Sequence, residues 1–190
     1  IMGYWEDCFL FKVYYKNINK GWTAKLISKE YLYSLSLDNI ENVDIILKPG
    51  VSVKFLINKD FKQWDILYCK FLEEICLPTL EREKDRRYFF ENGVKNKHFW
   101  GVFLDKKLIS IANYDTRYKD IGLISGVFTL AEERGKGYSK LCIKQIFIDS
   151  KAVHEVNNLI LFTRQNSIIA NNLYESLGFK QIGYFGVIFN

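Results

Sequence analysis

The sequence predicts a domain of the mixed α/β class, built on a mixed, mostly antiparallel central sheet with helices on both faces. Three observations carry this. Residues 98–104 (HFWGVFL) and 108–114 (LISIANY) are strand-like runs separated only by a short polar stretch, which is hairpin spacing. Beyond Gly137 the apolar residues change from a period of two to a helical period. Residues 158–163 (NLILFT) then form a short, almost wholly apolar run between two helix-period stretches, as expected of a buried parallel strand reached by a helical crossover.

From the N terminus, Phe9–Tyr15 and Val43–Leu47 read as strands and Lys29–Leu37 as a short helix. Residues 1–58 match no known pattern and are read as an extension or subdomain; residues 59–190 hold the main domain. Asp65–Leu77 is an amphipathic helix, with Leu67, Phe71 and Ile75 on one face and Pro78 as its stop. Glu81–Asn92 is read as a second helix, ended by Gly93. After the hairpin comes a third strand, Gly122–Thr129, whose internal Gly126 signals a bulge or a close backbone approach. Tyr138–Val153 places Cys142, Ile143, Ile146, Phe147 and Val153 on one helical side and Lys140, Lys144 and Lys151 on the other. Ile168–Leu177 repeats the pattern through Ala170, Leu173, Tyr174 and Leu177, and Gly178 stops it. Phe179–Phe189 supplies one or two closing strands, split near Gly183–Gly186, with an exposed edge on which two subunits could pair as a homodimer.

Composition narrows the function. Apolar residues make up 48% and aromatics 16% of the 190 residues, enough for a well-buried core. No apolar run approaches the roughly 18–20 residues of a membrane span, and the first residues, with Glu6 and Asp7, lack an export-signal pattern. A cytoplasmic protein with no membrane partner is expected. Cys8, Cys69, Cys76 and Cys142 form no CxxC pair and are read as small buried hydrophobes, so no metal site is expected. The net charge of +5 is dispersed, its densest cluster being Lys84–Arg87, which reads as a solvated face and not a nucleic-acid surface.

The chemistry concentrates where the third strand ends. Val127, Phe128 and Thr129 lead through Leu130–Glu133 into Arg134, Gly135, Lys136, Gly137, Tyr138 and Ser139, so a glycine-rich turn opens a helix. Backbone N–H groups and the positive end of the helix dipole make such a turn an anion site suited to a pyrophosphate. A P-loop would need glycine at position 130 and a hydroxyl at 137, where Leu130 and Gly137 stand. A dinucleotide fingerprint would need a third glycine where Lys140 stands, and no GxSxG elbow is present.

Arg134, Gly137 and Ser139 match the RxxGxG/A motif of the GNAT superfamily, with serine as a small-residue departure at the last position. VFTLAEERGKGYSK resembles that family's strand, loop and helix segment, and ANNLYESLGF resembles its later helix and following strand. The resemblance covers about residues 60–190 and implies an acetyl-CoA-dependent N-acetyltransferase that moves an acetyl group to a primary amine of a small molecule or protein. It implies a pantetheine arm beside the third strand, bonded to the backbone at Val127 and Thr129, with Phe128 pointing the other way. It implies a pyrophosphate on the N–H groups of Arg134, Gly135, Lys136, Gly137, Tyr138 and Ser139, with Arg134 and Lys136 adding positive charge. Asn171, with Asn166 as the nearby alternative, matches a polar contact to the cofactor arm. Tyr174 matches the tyrosine that protonates the departing thiolate.

Each residue also has an ordinary reading: core for Phe128 and Tyr174, an exposed loop lysine for Lys136, a solvated helix residue for Asn171, and mere turn geometry for Gly135 and Gly137. Trp64, Trp100 and Tyr114 are candidates for an acceptor pocket, with core as the plainer reading. The third strand carries no carboxylate, leaving Asp115, Glu132, His98 or ordered water as the route for the amine's proton. A non-catalytic acyl-CoA-sensing module and an interaction domain that kept only the fold are the competing functional classes.

Overall fold

The computed structural model describes residues 2–24, 26–40, 43–76 and 82–189. In chain order its elements are β1 (Met2–Tyr4), α1 (Trp5–Ile18), β2 (Leu26–Ser36), β3 (Val51–Phe55), α2 (Phe61–Glu74) and α3 (Glu83–Lys95). There follow β4 (Phe99–Leu104), β5 (Lys107–Tyr118), β6 (Ile121–Thr129), α4 (Tyr138–His154), β7 (Asn158–Arg164), α5 (Ile168–Ser176) and β8 (Lys180–Phe189). They fall into two compact units, one of Ser36–Leu159 and one of Ile1–Leu35 with Ile160–Asn190.

In the first unit β3, β4, β5 and β6 form an antiparallel meander. The β4–β5 turn places Asp105 and Lys106 at φ 45° and 72°, as a tight hairpin turn requires. Neighbouring residues of β4 show how the sheet is covered. Phe99 lies 5.4 Å from Trp64 of α2 and 5.7 Å from Phe90 of α3, ring centre to ring centre, while Trp100 donates its indole N–H to Asp149 of α4 at 2.8 Å. Because successive residues of a strand face opposite ways, α2 and α3 cover one face and α4 the other. Trp64, Trp100 and Tyr114 are all core. An Arg86–Asp65 pair with two contacts, at 2.6 and 3.0 Å, ties α3 to α2.

In the second unit β8 lies between β1 and β2, antiparallel to both, and β7 adjoins β2. The closing segment is therefore one strand with a one-residue bulge at Ile182, paired with β2 along its length and with β1 only at Phe185–Val187. Helix α1 sits on β8 through a narrow face; Gly186 permits this, since a Cβ there would lie 2.7 Å from that of Cys8.

Several sequence expectations are corrected. Phe9–Tyr15 is helical, not a strand: its aromatic and β-branched content imitates a strand, and its outward face stays apolar, with Leu10 and Tyr14 exposed. Lys29–Leu37 is strand β2 running into a 3₁₀ turn, and the alternating Tyr33, Leu35 and Leu37 are its buried side. Val43–Leu47 has no regular structure, and the strand lies at Val51–Phe55 instead. Gly93 does not end its helix. It lies inside α3, where a Cβ would come within 1.8 Å of the Phe99 ring, so glycine lets α3 close onto β4. Cys76 is exposed and Cys69 half-buried, so only Cys8 and Cys142 are buried thiols. Pro78 and Glu81, the expected helix boundaries, lie outside the described residues.

Candidate functional site

The site begins with a bulge in β6. Ser125 pairs with Asn113 and Phe128 with Ile111, so two residues, Gly126 and Val127, oppose Ala112 alone. Gly126 adopts φ +59°, and a Cβ there would fall 2.0 Å from the Asn113 side-chain oxygen. Both readings of this glycine, bulge and close approach, hold together. Beyond the bulge the N–H of Leu130 donates to the Ile109 carbonyl at 3.0 Å. In the antiparallel alternation Thr129 then directs its own N–H and carbonyl away from β5.

Arg134 occupies that carbonyl. Its Nε donates to Thr129 O at 3.0 Å and its other end meets Glu74 of α2 at 2.5 Å, while the guanidinium lies 5.4 Å from the Phe128 ring centre. The guanidinium thus braces the loop back onto the strand. Phe128 itself is core, edge-on to Phe71 of α2. Lys136 is exposed and paired with Glu133 at 2.9 Å, and this contact raises its pKa.

A chain of hydroxyls joins the strand end to the helix start. Ser110 Oγ donates to the Phe128 carbonyl at 3.0 Å, so its 2.8 Å contact with Thr129 is donated by Thr129. The 2.7 Å contact between Thr129 and Ser139 is then donated by Ser139. Ser139 spends its O–H inward and can offer an anion only its backbone N–H.

Gly135 and Gly137 take φ 75° and 86°, and a Cβ at either would meet open space. Backbone conformation, not crowding, requires glycine here. Gly137 caps α4 without a side-chain bond, and among the described residues the N–H groups of Gly135 through Ser139 have no acceptor. An open loop of unpartnered donors at a helix start fits a pyrophosphate, and Lys136 stands on its rim. Tyr138 is buried at the helix start.

In the other unit Asn171 and Tyr174 lie on α5. The Asn171 amide donates to the carbonyls of Arg164 (3.4 Å) and Gln165 (3.1 Å), and its oxygen accepts from Tyr33 at 3.4 Å. Its side chain organises the β7–α5 loop, whereas Asn166 is exposed. Tyr33 also donates to Glu175 at 3.0 Å, and burial first, then this bond, pushes its phenol up to about 12. Tyr174 is only 7% exposed and packs against Tyr33 and Phe179. Its hydroxyl has no partner among the described residues, and no fully buried side-chain polar atom among them lacks one, so the hydroxyl reaches the surface. Burial of the ring pushes its pKa upward, which keeps the proton on it at neutral pH.

Of the proton-acceptor candidates, Asp115 is the extra residue in a second bulge, between the pairs Tyr114–Ile124 and Thr116–Leu123. Though exposed, its carboxyl is raised by desolvation. His98 is half-buried beside His154 and Tyr114, and burial lowers its pKa. Glu132 is exposed and paired with Lys107.

The GNAT acetyltransferase family model matches residues 61–179. The chain belongs to the GNAT family. Solved structures share its fold at low identity. A protein assigned to the GNAT family from Novosphingobium aromaticivorans is 21% identical with a TM-score of 0.62, over 87% of this chain and 65% of that one. An N-acetyltransferase from Staphylococcus aureus is 14% identical with a TM-score of 0.62, over 72% of this chain and 96% of that one. A protein described as a predicted acetyltransferase from Clostridium acetobutylicum, solved with acetyl-CoA, is 16% identical with a TM-score of 0.56, over 69% and 90%. This chain spans less than two thirds of the Novosphingobium protein and 62% of a GNAT-family acetyltransferase from Colwellia psychrerythraea. No curated protein matches the sequence. Among the described residues no helix is long and apolar enough to cross a membrane.

The loop and helix of this GNAT domain were legible as RGKGYS. Ser110 and Asn113 were missed, although a serine and an asparagine inside the apolar run LISIAN are a visible signal of buried polar work. Glu74 carried no such signal.

Proposed function

We propose that this GNAT protein is a cytoplasmic enzyme that transfers the acetyl group of acetyl-CoA to a primary amine by direct attack in a ternary complex. The observation that carries the reading is the bulged end of β6 running into an open, left-handed glycine loop whose N–H groups lack acceptors. In this reading residues 59–190 are the transferase domain and residues 1–58 an extension. The Thr129 N–H and the Val127 backbone hold the pantetheine arm, since the Thr129 carbonyl is already taken by Arg134. The donors of Gly135, Lys136, Gly137, Tyr138 and Ser139 hold the pyrophosphate, Arg134 keeps the loop in shape, and Asn171 shapes the β7–α5 loop beside Tyr174.

The amine nitrogen attacks the thioester carbonyl carbon, the carbon–sulfur bond breaks, and the thiolate takes the Tyr174 proton; the amine's proton leaves to solvent or to a carboxylate. The Tyr174 phenol carries its proton at neutral pH, as this step requires, and its raised pKa makes it a weaker donor than a free phenol.

Thermal unfolding with and without acetyl-CoA tests the reading. At about a hundredfold over its dissociation constant the ligand adds roughly 2.7 kcal/mol, several degrees for a chain of this size. The shift is expected in the wild type and absent in Gly137→Glu, whose side chain fills the cradle. No shift in the wild type sinks the proposal. A shift without release of CoA thiol in the presence of any amine leaves an acyl-CoA-sensing module.

A further inference from the structure

The outer side of α1 has no part in the acetyl-CoA reading. Trp5, Cys8, Lys12 and Tyr15, spaced i, i+3, i+7 and i+10, are the residues of this helix that turn inward, and every other one is exposed. Leu10, Val13, Tyr14 and Asn17 therefore form its outward row, with Phe9 on one flank and Phe11 and Ile18 on the other. Leu10 is 67%, Tyr14 64% and Ile18 59% exposed, and Phe9, Phe11 and Val13 are each exposed to nearly half. An aromatic side chain offers about 150–250 Å² and an aliphatic one somewhat less, so these six leave roughly 600 Å² of apolar surface against water. That is the upper end of the largest patch on an ordinary monomer, about 300–600 Å². Two such faces together bury about 1,200 Å², the lower bound of a stable interface.

The charges on the same side say what it meets. Glu6, Phe9, Val13 and Lys16 repeat at i, i+3, i+7 and i+10 along one flank, so that flank is acidic at its N-terminal end and basic at its C-terminal end. In an antiparallel helix pair about a two-fold axis, like flanks face each other, and such a flank complements itself. With Leu10 of one copy against Tyr14 of the other, Glu6 comes beside the partner's Lys16, and symmetry makes this contact twice. A parallel pair would set Glu6 against Glu6. A membrane surface fits less well, because an interfacial helix keeps its charges opposite its apolar side, whereas Glu6 and Asp7 stand beside the apolar row.

We propose that α1 is a self-pairing surface, covered by α1 of a second copy of this chain lying antiparallel across it. The inference is independent of acetyl transfer.

Sedimentation equilibrium of the full chain from about 1 to about 200 μM covers the micromolar affinity expected of an interface this small. A species of twice the chain mass is expected. Leu10→Lys and Tyr14→Lys, both at outward positions, should keep the wild-type circular dichroism spectrum and weaken the dimer about tenfold or more, since each sets two ammonium groups in the apolar seam. Glu6→Lys should weaken it roughly three- to tenfold, and adding Lys16→Glu should restore the affinity to within about threefold of the wild type. The inference is overturned by a single-chain mass at every concentration, or by a dimer that Leu10→Lys and Tyr14→Lys leave unchanged. It is overturned equally if Glu6→Lys has no effect, or if the charge exchange fails to restore what Glu6→Lys loses. A single-chain species that binds vesicles of phosphatidylcholine and phosphatidylglycerol, and loses them in Leu10→Lys, would overturn it and assign the face to lipid.

Discussion

Replacing Gly126 by alanine tests how the bulge is held. The backbone there has φ +59°, a region that costs a residue with a Cβ about 1–2 kcal/mol. The new methyl would also fall 2.0 Å from the Asn113 side-chain oxygen, and displacing a buried side chain of a packed sheet costs about 1–3 kcal/mol. Together these give about 2–5 kcal/mol, or roughly 5–15 °C in Tm for a domain of this size. Urea unfolding of Gly126→Ala, Asn113→Gly and the double variant separates the two costs. Without the Asn113 amide only the backbone cost should remain, so the cycle should show a coupling of about 1–3 kcal/mol. A loss under about 1 kcal/mol in the wild-type background, or an equal loss in both backgrounds, would refute the reasoning.

Gly93→Ala should destabilise by about 2 kcal/mol or more in the same urea assay, because its methyl would overlap the Phe99 ring; helix propensity alone gives the opposite sign, a gain of about 1 kcal/mol. Tyr174→Phe should leave stability almost unchanged, since its hydroxyl has no partner among the described residues, yet lower kcat about a hundredfold in a thiol-release assay. Arg134→Lys keeps the charge but cannot reproduce the Nε bond to the Thr129 carbonyl, so acetyl-CoA should stabilise it no better than Arg134→Ala; wild-type behaviour would assign the residue to phosphate charge instead. His98 and His154 are both lowered chiefly by burial, so the unfolded chain takes up their protons first. Their contribution is full above the unfolded value of about 6.5 and is lost as pH falls below it, and urea midpoints between pH 8 and 5 should decline less in His98→Asn.

How far the fold could be read depended on where each element's stability resides. From Phe61 onward, period and burial coincide: LISIANY is apolar and buried almost without a break because α2 and α4 cover opposite faces of β5, and Tyr138–His154 shows a helical stripe because only one side meets the sheet. Before residue 59 they part company. Helix α1 touches β8 through Trp5 and Cys8, leaving Phe9, Leu10, Phe11, Val13 and Tyr14 outside, so no polar stripe marks its outer face. Strand β2 also buries Leu32 and half-buries Tyr31, next to its alternating set Tyr33, Leu35 and Leu37, which blurs the alternation. Gly93 misled for a related reason: a glycine that stops a helix and a glycine that admits an aromatic ring look alike until the ring's position is known.

The site was legible in its backbone requirements and illegible in its side-chain allegiances. Glycine at 126, 135 and 137 announces left-handed backbone, and all three have it. What Arg134 and Asn171 bond to is set by groups distant in sequence, Glu74 and the Thr129 carbonyl in one case and the β7–α5 loop and Tyr33 in the other. That difference bears on function. A bulge inside a paired strand gives up ladder bonds, and a loop of unpartnered N–H groups gives up more; neither is needed to cover a hydrophobic core. Such costs persist where a ligand repays them. Here they are adjacent on one chain segment, separated by the braced turn of Arg134 and the Ser139–Thr129–Ser110 hydroxyl chain, which fix the spacing between strand and helix. Two donor surfaces held at a fixed distance suit one elongated ligand with an amide-bearing arm and a pyrophosphate, and a shorter ligand would leave one of them unsatisfied.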